Sequence, residues 1–171
     1  MENTILVKNF LEGTGSIDLQ IRLVAGESGL SREIRIGDIN RPGLTLAGFY
    51  DFFAYDRIQI FGLGESAYLR QLSDDEKRDV LTKFFSYDVL CCVFTHGEEP
   101  DGLFLEFADR KGVPVFVTKK DTTRFTSSLI YLLNEAFAPT VTLHGTFVDV
   151  YGIGVLLIGR SGVGNSECAL E

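Results

Sequence analysis

Apolar and polar positions along this chain follow two periods, and they change places often. Residues 19–23 (Leu-Gln-Ile-Arg-Leu) alternate strictly, which predicts a half-buried strand. Residues 34–36 read as another short strand, and residues 57–61 as a strand closed by Gly62 and Gly64. Residues 89–95 and 113–117 are nearly unbroken apolar runs, the kind buried on both faces of a parallel sheet. Between them the helical period predicts helices over residues 65–72, 73–85, 101–111 and about 122–137, with a shorter one over residues 5–11. Ser73-Asp74-Asp75-Glu76 fits a capping box and Gly112 a helix stop, while Thr122 or Thr123 is the expected cap of the last helix. Strand–helix alternation of this kind predicts an α/β domain of three layers with a largely parallel sheet. Its strand ends, at Thr95-His96 and Thr118-Lys119, are expected to face one crevice, with His96 itself exposed and idle.

The texture changes after Pro139. Residues 141–150 alternate around a break at Gly145, and Tyr151-Gly152 is a turn. Residues 152–158 then lead into Gly159-Arg160-Ser161-Gly162-Val163-Gly164-Asn165-Ser166, with a helix-forming run behind it. Strand, Gly-rich turn and helix start are the order a phosphate-binding P-loop requires, with the pattern G-x-x-x-x-G-K-[ST]. Glycines let successive backbone N–H groups converge on phosphate oxygens, and the helix N-terminus adds positive potential. Asn165 stands where that pattern has lysine. A Gly-rich strand–helix turn with no ligand is the other reading of the same spacing.

Other stretches carry less chemistry. Asn40-Arg41-Pro42-Gly43 reads as a structural turn. Phe49, Tyr50, Phe52, Phe53 and Tyr55 suit core packing or a subunit contact. The 74–76 acidic run suits a solvated helix start rather than a catalytic pair.

Composition narrows the partners. The 171 residues are 45% hydrophobic with a formal net charge of −8, and the sequence pI is about 4.8. That balance argues against non-specific binding to nucleic acid or anionic membrane. No stretch reaches the roughly 18 apolar residues of a membrane span, and no apolar leader is present. Cys91, Cys92 and Cys168 lack metal-ligand spacing, and an odd count suits reduced thiols and a cytoplasmic location. Cys91 and Cys92 are neighbours in a strand and should point to opposite faces.

Several stretches together resemble the HPr kinase/phosphorylase family. The strongest runs from Leu143-His144-Gly145-Thr146-Phe147-Val148-Asp149-Val150-Tyr151-Gly152 through Ile153-Gly154-Val155-Leu156 to the Gly-rich loop and Ser166-Glu167. Others are Asp38-Ile39-Asn40-Arg41-Pro42-Gly43-Leu44, Ala47-Gly48, Arg57-Ile58-Gln59-Ile60 and Thr122-Thr123-Arg124-Phe125. The resemblance implies a cytoplasmic, hexameric bacterial enzyme of carbon catabolite regulation. It would phosphorylate a serine of the carrier protein HPr with ATP or pyrophosphate and Mg, and remove that phosphate by phosphorolysis. It also implies an N-terminal α/β domain over residues 1–134, a linker over 135–140, and the first strands and P-loop of a kinase domain over 141–171.

Carried over by position, Gly159, Arg160, Ser161, Gly162, Val163, Gly164, Asn165 and Ser166 would cradle phosphates, with the Ser166 hydroxyl on Mg. His144 matches the family's active-site histidine, where an imidazole suits holding or orienting inorganic phosphate. Asn165 departs from the family lysine, and losing one such transition-state donor typically costs about 3 kcal/mol or more. The family's catalytic aspartate would lie beyond Glu171, so this chain alone is expected to be inactive. A regulatory or interaction module without chemistry, and an unrelated P-loop protein, are the competing readings.

Overall fold

The computed structural model describes residues 4–9, 18–139 and 143–159. The chain divides into two compact units, residues 1–138 and 139–171.

The first unit is built on five strands in the order β2-β7-β6-β5-β4. They are β2 (Ile21–Ala25), β4 (Ile39–Asn40), β5 (Ile58–Phe61), β6 (Cys91–Phe94) and β7 (Val115–Thr118). Strands β4 to β7 are mutually parallel, and β2 joins the edge of β7 antiparallel. Among the described residues five α-helices accompany them: α1 (Gly43–Leu46), α2 (Leu63–Gln71), α3 (Asp74–Phe84), α4 (Gly102–Lys111) and α5 (Thr122–Ala136). A separate pair joins β1 (Ile5–Leu6) to β3 (Glu33–Ile34). Mixed α/β architecture with a mostly parallel sheet is what the alternation of periods predicts.

Every residue of β5, β6 and β7 is buried. Alternate side chains feed two cores. Phe61, Cys92, Phe94, Val115 and Val117 pack on one face with Leu69 of α2, Leu81 and Phe84 of α3, and Phe104 and Phe107 of α4. Ile58, Ile60, Cys91, Val93 and Phe116 pack on the other with Phe125, Leu129, Leu132 and Leu133 of α5. Cys91 and Cys92 therefore do point to opposite faces. Burial pushes the Cys91 thiol up to about 12 and the Cys92 thiol well up too, so neither is a nucleophile near neutrality. The aromatic content is concentrated in the first core. Phe61 stacks on Phe94 with centroids 4.4 Å apart, and Phe104 meets both edge-on.

Local signals explain the helix ends. The Ser73 hydroxyl accepts from Glu76 N–H, and the Glu76 carboxylate takes the Ser73 N–H at 2.9 Å, the reciprocal capping box. Gly112 ends α4 in the left-handed conformation at φ 57°. The cap of α5 is Asp121, not either threonine: its carboxylate accepts from Arg124 N–H at 2.9 Å. A carboxylate is the stronger acceptor at a helix N-terminus, and that bond holds Asp121 below its usual carboxylate range.

Two expectations change. Residues 5–6 pair as strand β1 instead of opening a helix, because β3 offers a backbone partner; residues 10–17 lie outside the described residues. Asn40-Arg41-Pro42-Gly43 is not a simple turn: Asn40 ends β4 and Pro42 leads into the one-turn helix α1. The aromatic cluster joins the core in part, as expected: Phe53 is buried and Tyr50 stacks on Tyr87, while Phe52 is 86% exposed.

The second unit is a hairpin of β8 (Thr146–Val150) and β9 (Ile153–Leu157), paired antiparallel. Its two-residue loop, Tyr151-Gly152, has φ of 56° and 82°, the double positive φ that matches the twist of a tight hairpin. Asp149 accepts from Gly152 N–H at 2.8 Å and fixes the turn. Most side chains of both strands are exposed or half-exposed.

Candidate phosphate-binding site

The hairpin sets the geometry that the Gly-rich segment starts from. Thr146 pairs with Leu157 and Phe147 with Leu156. The ladder ends there, with His144 just ahead of β8 and Gly159 just after β9 at the same end of the hairpin. The approach at this end is close, since a Cβ on Gly145 would lie 2.5 Å from the Leu157 carbonyl oxygen. Only glycine lets the chain ahead of β8 come that near to β9. His144 and Gly159 are both exposed. Residues Arg160, Ser161, Gly162, Val163, Gly164, Asn165 and Ser166 lie outside the described residues.

The chemistry of this donor set suits an anion: an imidazole, Gly-rich backbone N–H groups and the Arg160 guanidinium. For Mg the segment's side-chain oxygens include the hydroxyls of Ser161 and Ser166, and the phosphates themselves would complete such a shell. Among the described residues no three His, Cys, Asp or Glu side chains gather as a metal site. No described helix is long and apolar enough to cross a membrane.

The first unit gathers polar groups at the carboxyl ends of its parallel strands. The Arg41 guanidinium grips the Glu65 carboxylate through two bonds, at 3.1 and 2.7 Å, and Glu65 also accepts from Gly62 N–H at 3.0 Å. Glu65 is only 7% exposed. Burial pushes its carboxyl up, but the Arg41 and backbone bonds outweigh that and hold it below the ordinary range. Gly62 is confined: a Cβ there would lie 2.8 Å from Arg41 Nη2 and 2.9 Å from Thr122 Oγ1. Thr95 Oγ1 donates to the Phe61 carbonyl and lies 2.8 Å from Thr122 Oγ1.

His96 is exposed, as expected. It sits at φ 62°, and its Nδ1 is 3.1 Å from Thr95 Oγ1. The expected crevice between the two strand ends is closed, because His96 N–H bonds the Lys120 carbonyl and Gly97 N–H the Thr118 carbonyl, both at 2.8 Å. Proximity of the loops was legible in the strand order, but their backbone pairing was not.

A model of the HPr serine kinase N terminus matches residues 5–133, and a model of the HPr serine kinase C-terminal domain matches residues 135–171. The chain belongs to the HPr serine kinase family. The HPr kinase/phosphorylase of Leptospira biflexa is 52% identical over 154 residues, covering 90% of this chain and 48% of the relative. That of Treponema pallidum is 46% identical over 166 residues, covering 97% of this chain and 51% of the relative. The chain thus spans about half the length of the curated relatives it matches.

Among solved structures, the regulatory region of Clostridium perfringens pyrophosphatase is similar in fold. This structure, of CBS and DRTGG domains complexed with diadenosine tetraphosphate, gives a TM-score of 0.50 at 14% identity. The match covers 73% of this chain and 46% of that one, and at this identity it speaks for the fold alone.

The Arg41–Glu65 pair and the buried Lys77 come from the fold and not from any local motif. The second had a signal in periodicity alone: Lys77, Leu81 and Phe84 fall at i, i+4 and i+7 on α3, and all three are buried. A lysine on an inward stripe marks a place where the core makes room for charge.

Proposed function

We propose that this chain carries the N-terminal domain and the start of the kinase domain of a bacterial HPr serine kinase/phosphorylase. Its reaction would be phosphorylation of a serine of HPr, with ATP or pyrophosphate as donor, and phosphorolysis of the phosphoserine. Domain boundaries follow the family resemblance: residues 1–134, a linker over 135–140, and 141–171. The supporting observation is that His144, just ahead of β8, and Gly159, just after β9 and the first residue of the Gly-rich segment, lie at the same end of the hairpin. In this reading the backbone N–H groups of residues 159–166 bind phosphate oxygens, and His144 orients inorganic phosphate at their entrance. Mg, held through the Ser166 hydroxyl, supplies neutralisation of the charge on the phosphoryl group when bound. The cytoplasm and a hexameric assembly go with the same reading.

Asn165 weakens the chemistry without removing the cradle, since the backbone donors do not depend on that side chain. It also favours a second reading, a non-catalytic regulatory module of the same family.

Pyrophosphate titration in the presence of Mg tests the site. This chain should bind weakly, and Asn165→Lys should strengthen binding by ~1–3 kcal/mol at low salt, the scale of a charge-assisted hydrogen bond. The gain should shrink at high salt because His144 and Gly159 are exposed. Equal affinity of the two variants at low salt would contradict a phosphate cradle over residues 159–166.

A further inference from the structure

A cavity of about 150 Å³ opens at the carboxyl end of β6, between α2, α3 and α4, with Ser66, Leu69, Lys77, Phe94 and Phe104 among its lining. Open α/β sheets hold their ligands at this end of the strands. Leu69, Phe94 and Phe104 are core residues, and the Phe94 and Phe104 rings meet edge to face at 5.1 Å. An apolar chamber of roughly this volume accommodates one benzene ring.

Two buried polar residues line it. Ser66 is 5% exposed, and its hydroxyl has no hydrogen-bond partner. Folded proteins satisfy most such groups, so an unpaired buried hydroxyl beside a cavity points to a missing partner. Lys77 is 9% exposed, and its ammonium is bonded to the Asp101 carboxylate, whose other oxygen caps α4 at Phe104 N–H. An ammonium carries three donors, so capacity remains on the cavity side.

The charges around the chamber cancel. Arg70 pairs with Glu98 and Glu99 with Arg22, leaving no net field to draw in an ion. Arg22, Glu99 and Arg70 are more than half exposed, whereas Glu98 is 21% exposed, so the Arg22–Glu99 pair is the cheaper of the two to part.

We propose that this cavity binds a small uncharged molecule of a single ring bearing one hydrogen-bonding substituent. The ring fills the space beside Leu69, Phe94 and Phe104, and the substituent meets the Lys77 ammonium and the Ser66 hydroxyl, which turns toward it about χ1. Occupancy ties α2, α3 and α4 together at the end of the sheet. The site is independent of the Gly-rich segment and of the phosphate reading.

Phenol is the probe, with benzene as its comparison, titrated into the full chain and followed by backbone amide shifts. Phenol should saturate, with shifts centred on α2, the β6–α4 loop and the start of α4, and bind at least fivefold tighter than benzene. Ser66→Ala should weaken phenol about five- to tenfold, one neutral hydrogen bond, and leave benzene unchanged. The same variant should melt no lower than the parent without ligand, since it deletes an unsatisfied buried hydroxyl. Phenol that fails to saturate, that binds no tighter than benzene to the unaltered chain, or that ignores Ser66→Ala would overturn the proposal.

Discussion

Strands β6 and β9 are both apolar, and they end in opposite surroundings. Cys91–Phe94 lies between β5 and β7, with α4 on one face and α5 on the other, and Phe94 is 2% exposed. Ile153–Leu157 has one neighbour among the described residues, β8, and Ile153 is 67% exposed. An apolar run states what a strand can bury, while its partners decide what it does bury. The first unit is a finished α/β domain whose stability comes from two covered sheet faces. The hairpin holds its shape by its turn and its ladder, and it carries the residues of the proposed phosphate chemistry.

The contrast should be widest in the aromatic core. Phe61→Ala removes a fully buried ring that touches Phe84, Phe94 and Phe104. It should cost about 3–5 kcal/mol in denaturant unfolding of the first unit. A loss below about 1 kcal/mol would mean that this core is not the source of stability.

The Arg41–Glu65 pair comes next. Glu65→Gln should cost about 1–3 kcal/mol, because it takes the charge from a buried, hydrogen-bonded carboxylate while Arg41 stays half-exposed. The sign of the pH effect follows from the depressed carboxyl. Its stabilisation is fully present above the unfolded value of about 4.3 and fades as pH falls through the lower folded value. The parent should therefore lose its advantage over Glu65→Gln in acid, which unfolding curves between about pH 6 and pH 3 would show. An advantage that persists in acid would contradict the ionic role.

The smallest effect belongs to the hairpin. Ile153→Ser should change the unfolding of the first unit by less than about 0.5 kcal/mol, since an exposed apolar side chain has little burial to lose.

Much of the first unit was legible in the sequence because its signals are local. The unbroken runs at 89–95 and 113–117 became β6 and β7, and Ser73 and Gly112 marked helix ends by their own chemistry. What depended on distant partners was not legible. Residues 5–6 became a strand because of β3, and Arg41 found Glu65 across 24 positions of sequence. Asp121 caps α5 ahead of Thr122 and Thr123 because its carboxylate is the better acceptor. In the site, the turn at Tyr151-Gly152 could be read from residue types, whereas the approach of Gly145 to Leu157 required the register.

Amide hydrogen exchange across the whole chain tests the contrast between the two units most directly. Amides of β5, β6 and β7 should exchange only through global unfolding, with the slowest rates in the chain. Those of β8 and β9 should exchange orders of magnitude faster, through local opening of a ladder that little apolar burial protects. Equal protection on both sides of Pro139 would contradict the account.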